Sequence, residues 1–161
     1  IAGKNIKKSL LELGGSDAFI VLDDADLDEA ARVGALARLQ NCGQTCVAAK
    51  RFVIQKNIEF DFLPKFIEEY KKYVPADPKL KDTKLAGMAR PDLADDLEKQ
   101  YQKALEYGAE AIIPLERISK NEFNPGLIRV EEGNPILQEE LFGPLGMLMI
   151  AEIIQFGLDE K

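Results

Sequence analysis

The chain has 161 residues, which suits a single domain, and its 46% hydrophobic and 30% charged residues are ordinary for a globular protein. Its 21 Lys and Arg face 28 Asp and Glu, and a net charge of −7 without a dense basic cluster argues against nucleic acid or an anionic membrane as the main partner. Histidine is absent, so this chain alone cannot build a Cys-His or Ser-His hydrolase.

The composition predicts a cytoplasmic protein that does not cross a membrane. No apolar run approaches the roughly 20 residues that a membrane span needs, and no secretory signal is visible. Two cysteines are too few for a disulfide scaffold, so a reducing compartment is the default expectation.

The first third of the chain predicts two strands and a helix. The apolar runs 9–13 and 18–22 flank the sequence GGSD and are typical of buried strands. Asp26 is a natural N-cap for the helix that follows, and Glu29 is spaced to complete a capping box. Gly43 is placed to end that helix.

The middle of the chain predicts a strand, a helix and a loop. Residues 46–55 have strand character, and Asn57 is positioned to cap the next helix. Apolar residues recur every four positions along that helix, at Ile58, Phe62, Phe66 and Tyr70. Residues 75–84, rich in Pro, Asp and Lys, predict a loop.

The second half predicts one further helix and three strands. Pro91 suits the first helical position and Gly108 the end of the helix, with an apolar stripe of Leu93, Leu97, Tyr101 and Leu105. Short strands are predicted at 109–115, 126–130 and 145–150. Strands that alternate with helices favour an α/β fold with a mostly parallel sheet flanked by helices.

The only two cysteines lie four residues apart in QNCGQTC, residues 40–46. A zinc site needs about four ligands, so Cys42 and Cys46 alone do not predict a metal site. A disulfide between them would have to bridge the helix end, which is geometrically awkward, and burial of both as small hydrophobes is the simplest reading. Cys46, however, follows Gly43 and Gln44 at a turn between a helix and a strand, where a side chain can face a cleft.

Glu12 is the acid best placed to assist a reactive thiol. A thiolate needs a base or a local field, and without histidine a carboxylate or water must take the proton. Glu12 stands between leucines in LLELGG, and burial there would disfavour its charged form and suit it to act as a base near neutral pH. The alternative is an ordinary acid on the exposed face of an edge strand.

The motifs taken together resemble the catalytic core of the aldehyde dehydrogenase superfamily, with wording most similar to succinate-semialdehyde dehydrogenases. The resemblance rests on LLELGGSDAFIVLDDADLDEA (10–30), QNCGQTCVAAKRF (40–52), GMARPDL (87–93) and QEELFGP (138–144), in that order. Glu12 and Cys46 are separated by 34 residues, which fits the family. The likeness extends from Lys4 to about Ile150.

The resemblance implies a catalytic pair. Cys46 would attack an aldehyde to give a thiohemiacetal whose oxyanion is bound by the Cys46 backbone N–H, and hydride would pass to NAD or NADP. Glu12 would activate the water that hydrolyses the resulting thioester. Cys42 departs from the family pattern and is expected to pack beneath the loop, with no role carried over. No metal is implied.

The resemblance also implies a cofactor site. Glu140 would hold the nicotinamide ribose, Phe142 would lie against the ring, and Leu13 and Gly14 would bring backbone close to it. On its own residues, the EELFGP stretch that contains Glu140 and Phe142 favours an acidic helix end before a Gly-Pro turn. Its register with the other motifs favours the cofactor site instead.

The resemblance further predicts a domain organisation. Residues 1–150 would be a truncated catalytic domain without the NAD-binding domain and its second oxyanion donor, and 151–161 a tail resembling the family C-terminus after a lost segment. The expected substrate is a small aldehyde such as succinate semialdehyde, and the isolated chain is expected to be inactive. The alternatives are a non-enzymatic remnant that self-associates, as a homo-oligomer, through exposed apolar surface, and an esterase that uses Cys46 and Glu12 without a cofactor.

Overall fold

The computed structural model describes residues 1–152, so most of the predicted tail at 151–161 lies outside the described residues. The strands and helices, in chain order, are β1 (Asp17–Val21), α1 (Leu27–Leu39), β2 (Ala49–Gln55), α2 (Glu59–Lys71), α3 (Pro91–Glu106), β3 (Glu110–Ile113), β4 (Glu116–Arg117), β5 (Phe123–Asn124), β6 (Gly126–Arg129) and β7 (Leu145–Ala151). Short 3-10 turns occupy Gly3–Asn5, Gln40–Gly43, Lys56–Ile58 and Pro135–Gln138.

A five-stranded sheet with the order β1-β2-β7-β6-β3 forms the centre of the molecule. Its first four strands run parallel and β3 is antiparallel to β6, while β4 and β5 form a separate two-stranded ribbon. The predicted α/β fold with a mostly parallel sheet is confirmed. None of the helices within residues 1–152 has the length and apolarity needed to span a bilayer.

Helices cover both faces of the sheet because its strands alternate their side chains between two cores. Leu127 and Leu148 pack with α1 and α2, while their neighbours Ile128 and Met147 pack with α3. The predicted stripe of α2 is buried as expected, and Phe66 lies at the centre of an aromatic cluster, with ring centroids 4.7 to 5.2 Å from those of its three aromatic neighbours.

Helix termini follow the predictions only in part. Asp26 caps α1 as predicted, accepting hydrogen bonds from the N–H groups of Asp28 and Glu29 at 3.1 Å. The capping box is wrong, because the Glu29 carboxylate binds Arg32 instead. Asn57 does not cap α2 as predicted, because its side-chain amide donates a hydrogen bond to the carboxylate of Asp23, 34 residues earlier in the chain.

The other helix ends agree more closely with the sequence. Pro91 occupies the first turn of α3 and Gly108 follows its end with φ +88°. Helix α1 ends at Leu39, and Gly43 belongs instead to the turn after it. The residue after the helix cap is therefore Asn41, with φ 53°, and the predicted glycine lies two residues beyond it.

The predicted strand at 9–13 is wrong. Residues 7–16 form no regular structure, and Leu10, Leu11 and Leu13 are 91, 72 and 75% exposed. An apolar run becomes a strand only when another strand or a core covers it, and no described element lies over this segment. β2 likewise begins at Ala49 and not at Cys46, because residues 46–48 form the turn that enters it.

Candidate active site

The six predicted site residues line one concave pocket of about 440 Å³. They come from three segments that precede parallel strands of the sheet: Glu12, Leu13 and Gly14 before β1, Cys46 before β2, and Glu140 and Phe142 before β7. The amino ends of neighbouring parallel strands meet at one edge of a sheet, so the topology brings residues distant in sequence to a common site. Asn41, Gln44 and Thr45 complete the lining.

Cys46 and Glu12 both open to solvent at this pocket. Cys46 lies in the turn before β2, is exposed, and carries a free thiol. Glu12 is exposed as well, so its predicted burial among leucines is wrong. The reason is the missing strand: the flanking leucines have no partner in the described chain and leave the carboxylate in water. Within residues 1–152, Glu12 therefore lines the same pocket as the thiol but is exposed to solvent.

The loop before Cys46 has an unusual backbone. Asn41, Cys42 and Gly43 all have positive φ, at 53°, 56° and 69°, and non-glycine residues in this region cost on the order of 1–3 kcal/mol each. Two reciprocal hydrogen bonds stabilise the turn. The side-chain amide of Asn41 donates to the backbone carbonyl of Gln44 at 3.0 Å, and the side-chain amide of Gln44 donates to the backbone carbonyl of Asn41 at 3.2 Å. The Gln44 side-chain oxygen also accepts the Ala89 N–H at 2.8 Å.

Two fully buried cations lie beneath this loop, and the sequence reasoning missed both. The Arg38 guanidinium donates to the Gly43 carbonyl, and the Lys50 ammonium donates to the carbonyls of Thr45 and Cys46 at 3.2 and 2.6 Å. A signal was present for each. Lys50 shares its strand face with the buried Phe52 and Ile54, and Arg38 continues the apolar stripe of α1, so each charge stands where a hydrophobic residue is expected.

Glu140 is held between Lys50 and the backbone of Gly14. The Lys50 Nζ lies 3.1 Å from Glu140 Oε1, as an ion pair whose geometry is not that of a hydrogen bond, and Oε1 accepts none from any described residue. A Cβ added to Gly14 would lie 1.8 Å from Glu140 Oε2, so only glycine permits this approach. The carboxylate has acceptor capacity to spare, and Phe142 beside it is 39% exposed. An acceptor beside an exposed ring fits a ribose and a nicotinamide ring.

Cys42 is chemically unlike Cys46. It is buried, as its predicted packing role requires, in the core that contains α3. Burial raises the pKa of the Cys42 thiol to about 12, against a smaller opposing effect of the Arg38 charge. Cys42 is therefore a neutral packing residue at physiological pH. Within residues 1–152 no group of three or more His, Cys, Asp or Glu side chains is arranged to hold a metal ion.

Comparison with known proteins identifies the family of this chain. A family model described as the aldehyde dehydrogenase family matches residues 1–155. The chain belongs to the aldehyde dehydrogenase family. The predicted family membership is confirmed.

Relatives named as succinate-semialdehyde dehydrogenases are similar over nearly the whole chain. A probable NADP(+) enzyme of Synechocystis sp. is 36% identical and an NAD(P)+ enzyme of Escherichia coli K12 is 38% identical, each over 98% of this chain. The solved structure of a succinic semialdehyde dehydrogenase from Streptococcus pyogenes in complex with NADP+ is 36% identical over 94% of the chain, with a TM-score of 0.87. The chain spans 34 to 37% of the length of these three proteins.

Proposed function

We propose that this chain forms the cysteine-bearing part of the active site of an NAD(P)-dependent aldehyde dehydrogenase. The substrate class is a small aldehyde, with succinate semialdehyde as the first candidate. The observation that carries the proposal is the convergence of Cys46, Glu12 and Glu140 on one pocket from three separate segments. The names of the relatives support the substrate and the cofactor.

Cys46 acts as the nucleophile in this proposal. Its deprotonated sulfur forms a bond to the aldehyde carbon, and the carbonyl oxygen takes the negative charge. The backbone N–H of Cys46 is available to bind that oxygen, because no described group accepts a hydrogen bond from it. A donor aimed at an oxyanion contributes roughly a hundred- to a thousand-fold in rate.

Glu140 and Phe142 would hold the cofactor, and Leu13 and Gly14 would line its edge. When bound, NAD(P)+ would supply the oxidant, so that aldehyde and water would become carboxylic acid with release of NAD(P)H and a proton. The Glu140 carboxylate would accept hydrogen bonds from the cofactor, and Gly14 leaves room for that carboxylate. Glu12 takes a proton from the water that attacks the acyl group carried by Cys46.

Acylation by p-nitrophenyl acetate tests the cysteine half of this chemistry without a cofactor. The Cys46 thiolate attacks the ester carbonyl, a C–S bond forms and p-nitrophenolate leaves, so we expect a burst of about one p-nitrophenolate per chain. Cys46→Ala abolishes the burst, and the matched control Cys42→Ala retains it. A full burst in the folded Cys46→Ala variant contradicts the assignment.

The role of Glu12 is tested by the phase that follows the burst. Glu12→Gln leaves acylation unchanged but slows the steady release of p-nitrophenolate, roughly a hundred-fold if general base catalysis is lost. Glu132→Gln, at another exposed glutamate, leaves both phases unchanged. Equal steady rates in the Glu12 and Glu132 variants remove Glu12 from the mechanism.

The 161-residue chain alone is not expected to reduce NAD(P)+ with succinate semialdehyde. Its pocket is open, and the described residues offer the cofactor only one edge, formed by Glu140, Phe142, Leu13 and Gly14. Absorbance at 340 nm measures the reaction, with an intact homologous enzyme as the positive control. Sustained turnover by the purified chain contradicts this expectation.

Self-association is a second proposal, favoured by the exposed leucines. Leu10, Leu11 and Leu13 leave an apolar strip uncovered in the described chain, and such strips favour homo-oligomers. Analytical ultracentrifugation of the chain and of a Leu10→Ser, Leu11→Ser variant measures this, and identical sedimentation argues against it.

The cytoplasmic location stays a prediction, in keeping with two free thiols.

A further inference from the structure

Lys50 connects the reacting and cofactor-binding sides of the pocket from below. It is the second residue of β2, and its side chain is fully buried. Its ammonium contacts three acceptors, the carbonyls of Thr45 and Cys46 and the carboxylate of Glu140. Removing an ammonium from water costs several kcal/mol unless such contacts offset it. A hydrophobic residue would fill this place on the strand at no such cost, so the contacts require an explanation.

The contact with Thr45 determines the direction of the Cys46 N–H. The Thr45 carbonyl and the Cys46 N–H belong to the same peptide group, and the described peptide bonds are all trans. In a trans peptide these two groups point in opposite directions. The Thr45 carbonyl accepts from the buried Lys50 ammonium and from the Ala48 N–H at 3.1 Å, so the Cys46 N–H is turned to the side away from them.

The contact with the Cys46 carbonyl fixes the next peptide group as well. At 2.6 Å it is the shorter of the two Lys50 hydrogen bonds. Both peptide groups that flank the Cys46 α-carbon are therefore anchored to one atom, Lys50 Nζ. A charged donor holds carbonyls more strongly than a neutral one, by about a factor of two.

We propose that Lys50 is the positioning residue of this site: its buried ammonium holds the Thr45 and Cys46 carbonyls inward and so directs the Cys46 N–H into the pocket as an oxyanion donor. The inference rests on the proposed function, because it assumes that Cys46 carries the substrate. Lys50 touches no substrate itself and acts through the backbone.

Two thiol reagents separate this role from a structural one. Acylation by p-nitrophenyl acetate passes through a tetrahedral oxyanion, whereas alkylation by iodoacetamide is a direct displacement at carbon with no oxyanion. The variant Lys50→Met keeps an unbranched side chain one atom shorter and removes the donor. We expect Cys46 acylation to slow roughly 10- to 100-fold, below the full loss of a donor, because the amide is misdirected rather than removed. Alkylation at the same cysteine should change less than about threefold.

Three further variants control the comparison. Lys120→Met removes an exposed lysine and leaves both rates unchanged. Glu140→Gln removes the ion pair but leaves Lys50 bonded to both carbonyls, and it is the reference with which the double variant below is compared. If Lys50→Met fails to fold, judged by far-UV circular dichroism, the double variant Lys50→Met, Glu140→Gln removes the donor without leaving the Glu140 charge unpaired.

The outcomes distinguish the two proposals. A selective loss of acylation in Lys50→Met or in the double variant supports the positioning role. Equal loss of acylation and alkylation, or no loss of either, overturns it while the Cys46 assignment stands. If neither reagent modifies Cys46 in the original protein faster than a free thiol, the proposed function itself fails.

Discussion

Replacing Gly43 by alanine should destabilise the protein far more than the same change at Gly108. Both glycines have positive φ, +69° and +88°, so alanine meets similar backbone strain at each, about 1–2 kcal/mol. Their surroundings differ. A Cβ at Gly108 would have no heavy atom within 4 Å, whereas one at Gly43 would lie 2.2 Å from the Gly143 carbonyl oxygen and 2.5 Å from Arg38 Nη2.

Neither neighbour of Gly43 can move aside easily. The Gly143 oxygen is backbone and accepts the Leu145 N–H at 2.8 Å, and Arg38 is fully buried with its guanidinium bonded to Gly43 itself. Overpacking of this kind costs about 1–3 kcal/mol beyond the strain. We therefore expect Gly43→Ala to lower the free energy of unfolding by about 2–5 kcal/mol and Gly108→Ala by at most about 2 kcal/mol.

Urea denaturation at 25 °C measures the difference. The chain contains no tryptophan, so far-UV circular dichroism is the suitable signal. With a slope of about 1–3 kcal/mol per molar urea, an extra loss of 2 kcal/mol lowers the midpoint by roughly 1 M. Gly133→Ala, at φ +91° and also with nothing within 4 Å, is a second control. If the three variants unfold at the same urea concentration, the close approach of Gly43 to the Gly143 backbone does not constrain residue 43, and the reasoning is refuted.

Three further predictions concern single side chains. Phe66→Ala should cost about 3–5 kcal/mol in urea unfolding, and Phe60→Ala on the same helix should cost little, because Phe66 is fully buried and Phe60 is 89% exposed. Asp26→Ala should cost about 0.5–2 kcal/mol through loss of the α1 cap, whereas Asp24→Ala, at an exposed residue with no cap to lose, should be neutral. Burial raises the pKa of Cys42 from 9.0 to about 12. The contribution of Cys42 to the free energy of unfolding is therefore complete below pH 9 and is lost as the pH rises from 9 towards 12, at up to about 1.4 kcal/mol per pH unit. In a Cys42→Ala variant the free energy of unfolding should fall less steeply over pH 9–11 in the same urea experiment, and an unchanged slope would speak against the raised pKa.

The sequence predicted those elements whose signal is self-contained. The four-residue recurrence of Phe62, Phe66 and Tyr70 specifies a helix with one buried face, whatever it packs against, and α2 has that face. The Asn57 cap failed because a side-chain amide has many acceptors to choose from. The Asp23 carboxylate, 34 residues away, is one that no local pattern reveals.

The strand predicted at 9–13 failed for a different reason. The apolar run at 9–13 indicates that another element could cover it, but a strand also needs a hydrogen-bonded neighbour. Sequence alone does not tell whether the described chain supplies that neighbour. The consequence reaches the site: Glu12 lines the same pocket as Cys46, but it is exposed where burial was expected.

The motifs predicted the residues that face the pocket, but not the buried cations Arg38 and Lys50 that lie beneath the loop. Motifs name the residues that face the pocket, such as Cys46 and Glu140, because those carry recognisable chemistry. The cations beneath act through carbonyl groups, which every residue possesses and no sequence pattern displays. The available signals were the strand alternation through Lys50 and the helical stripe through Arg38. In both, a charged residue occupies a position where the pattern expects an apolar one, which indicates a buried cation.

The hydrogen bonds that Arg38 and Lys50 give to the loop end on main-chain oxygens of Gly43, Thr45 and Cys46. None of them involves the sulfur at position 46. The framework and the reactive atom are therefore separable: serine or selenocysteine at this position inherits the same backbone and brings a different nucleophile. The side chain at position 46 can therefore be changed without changing the hydrogen bonds that hold its backbone.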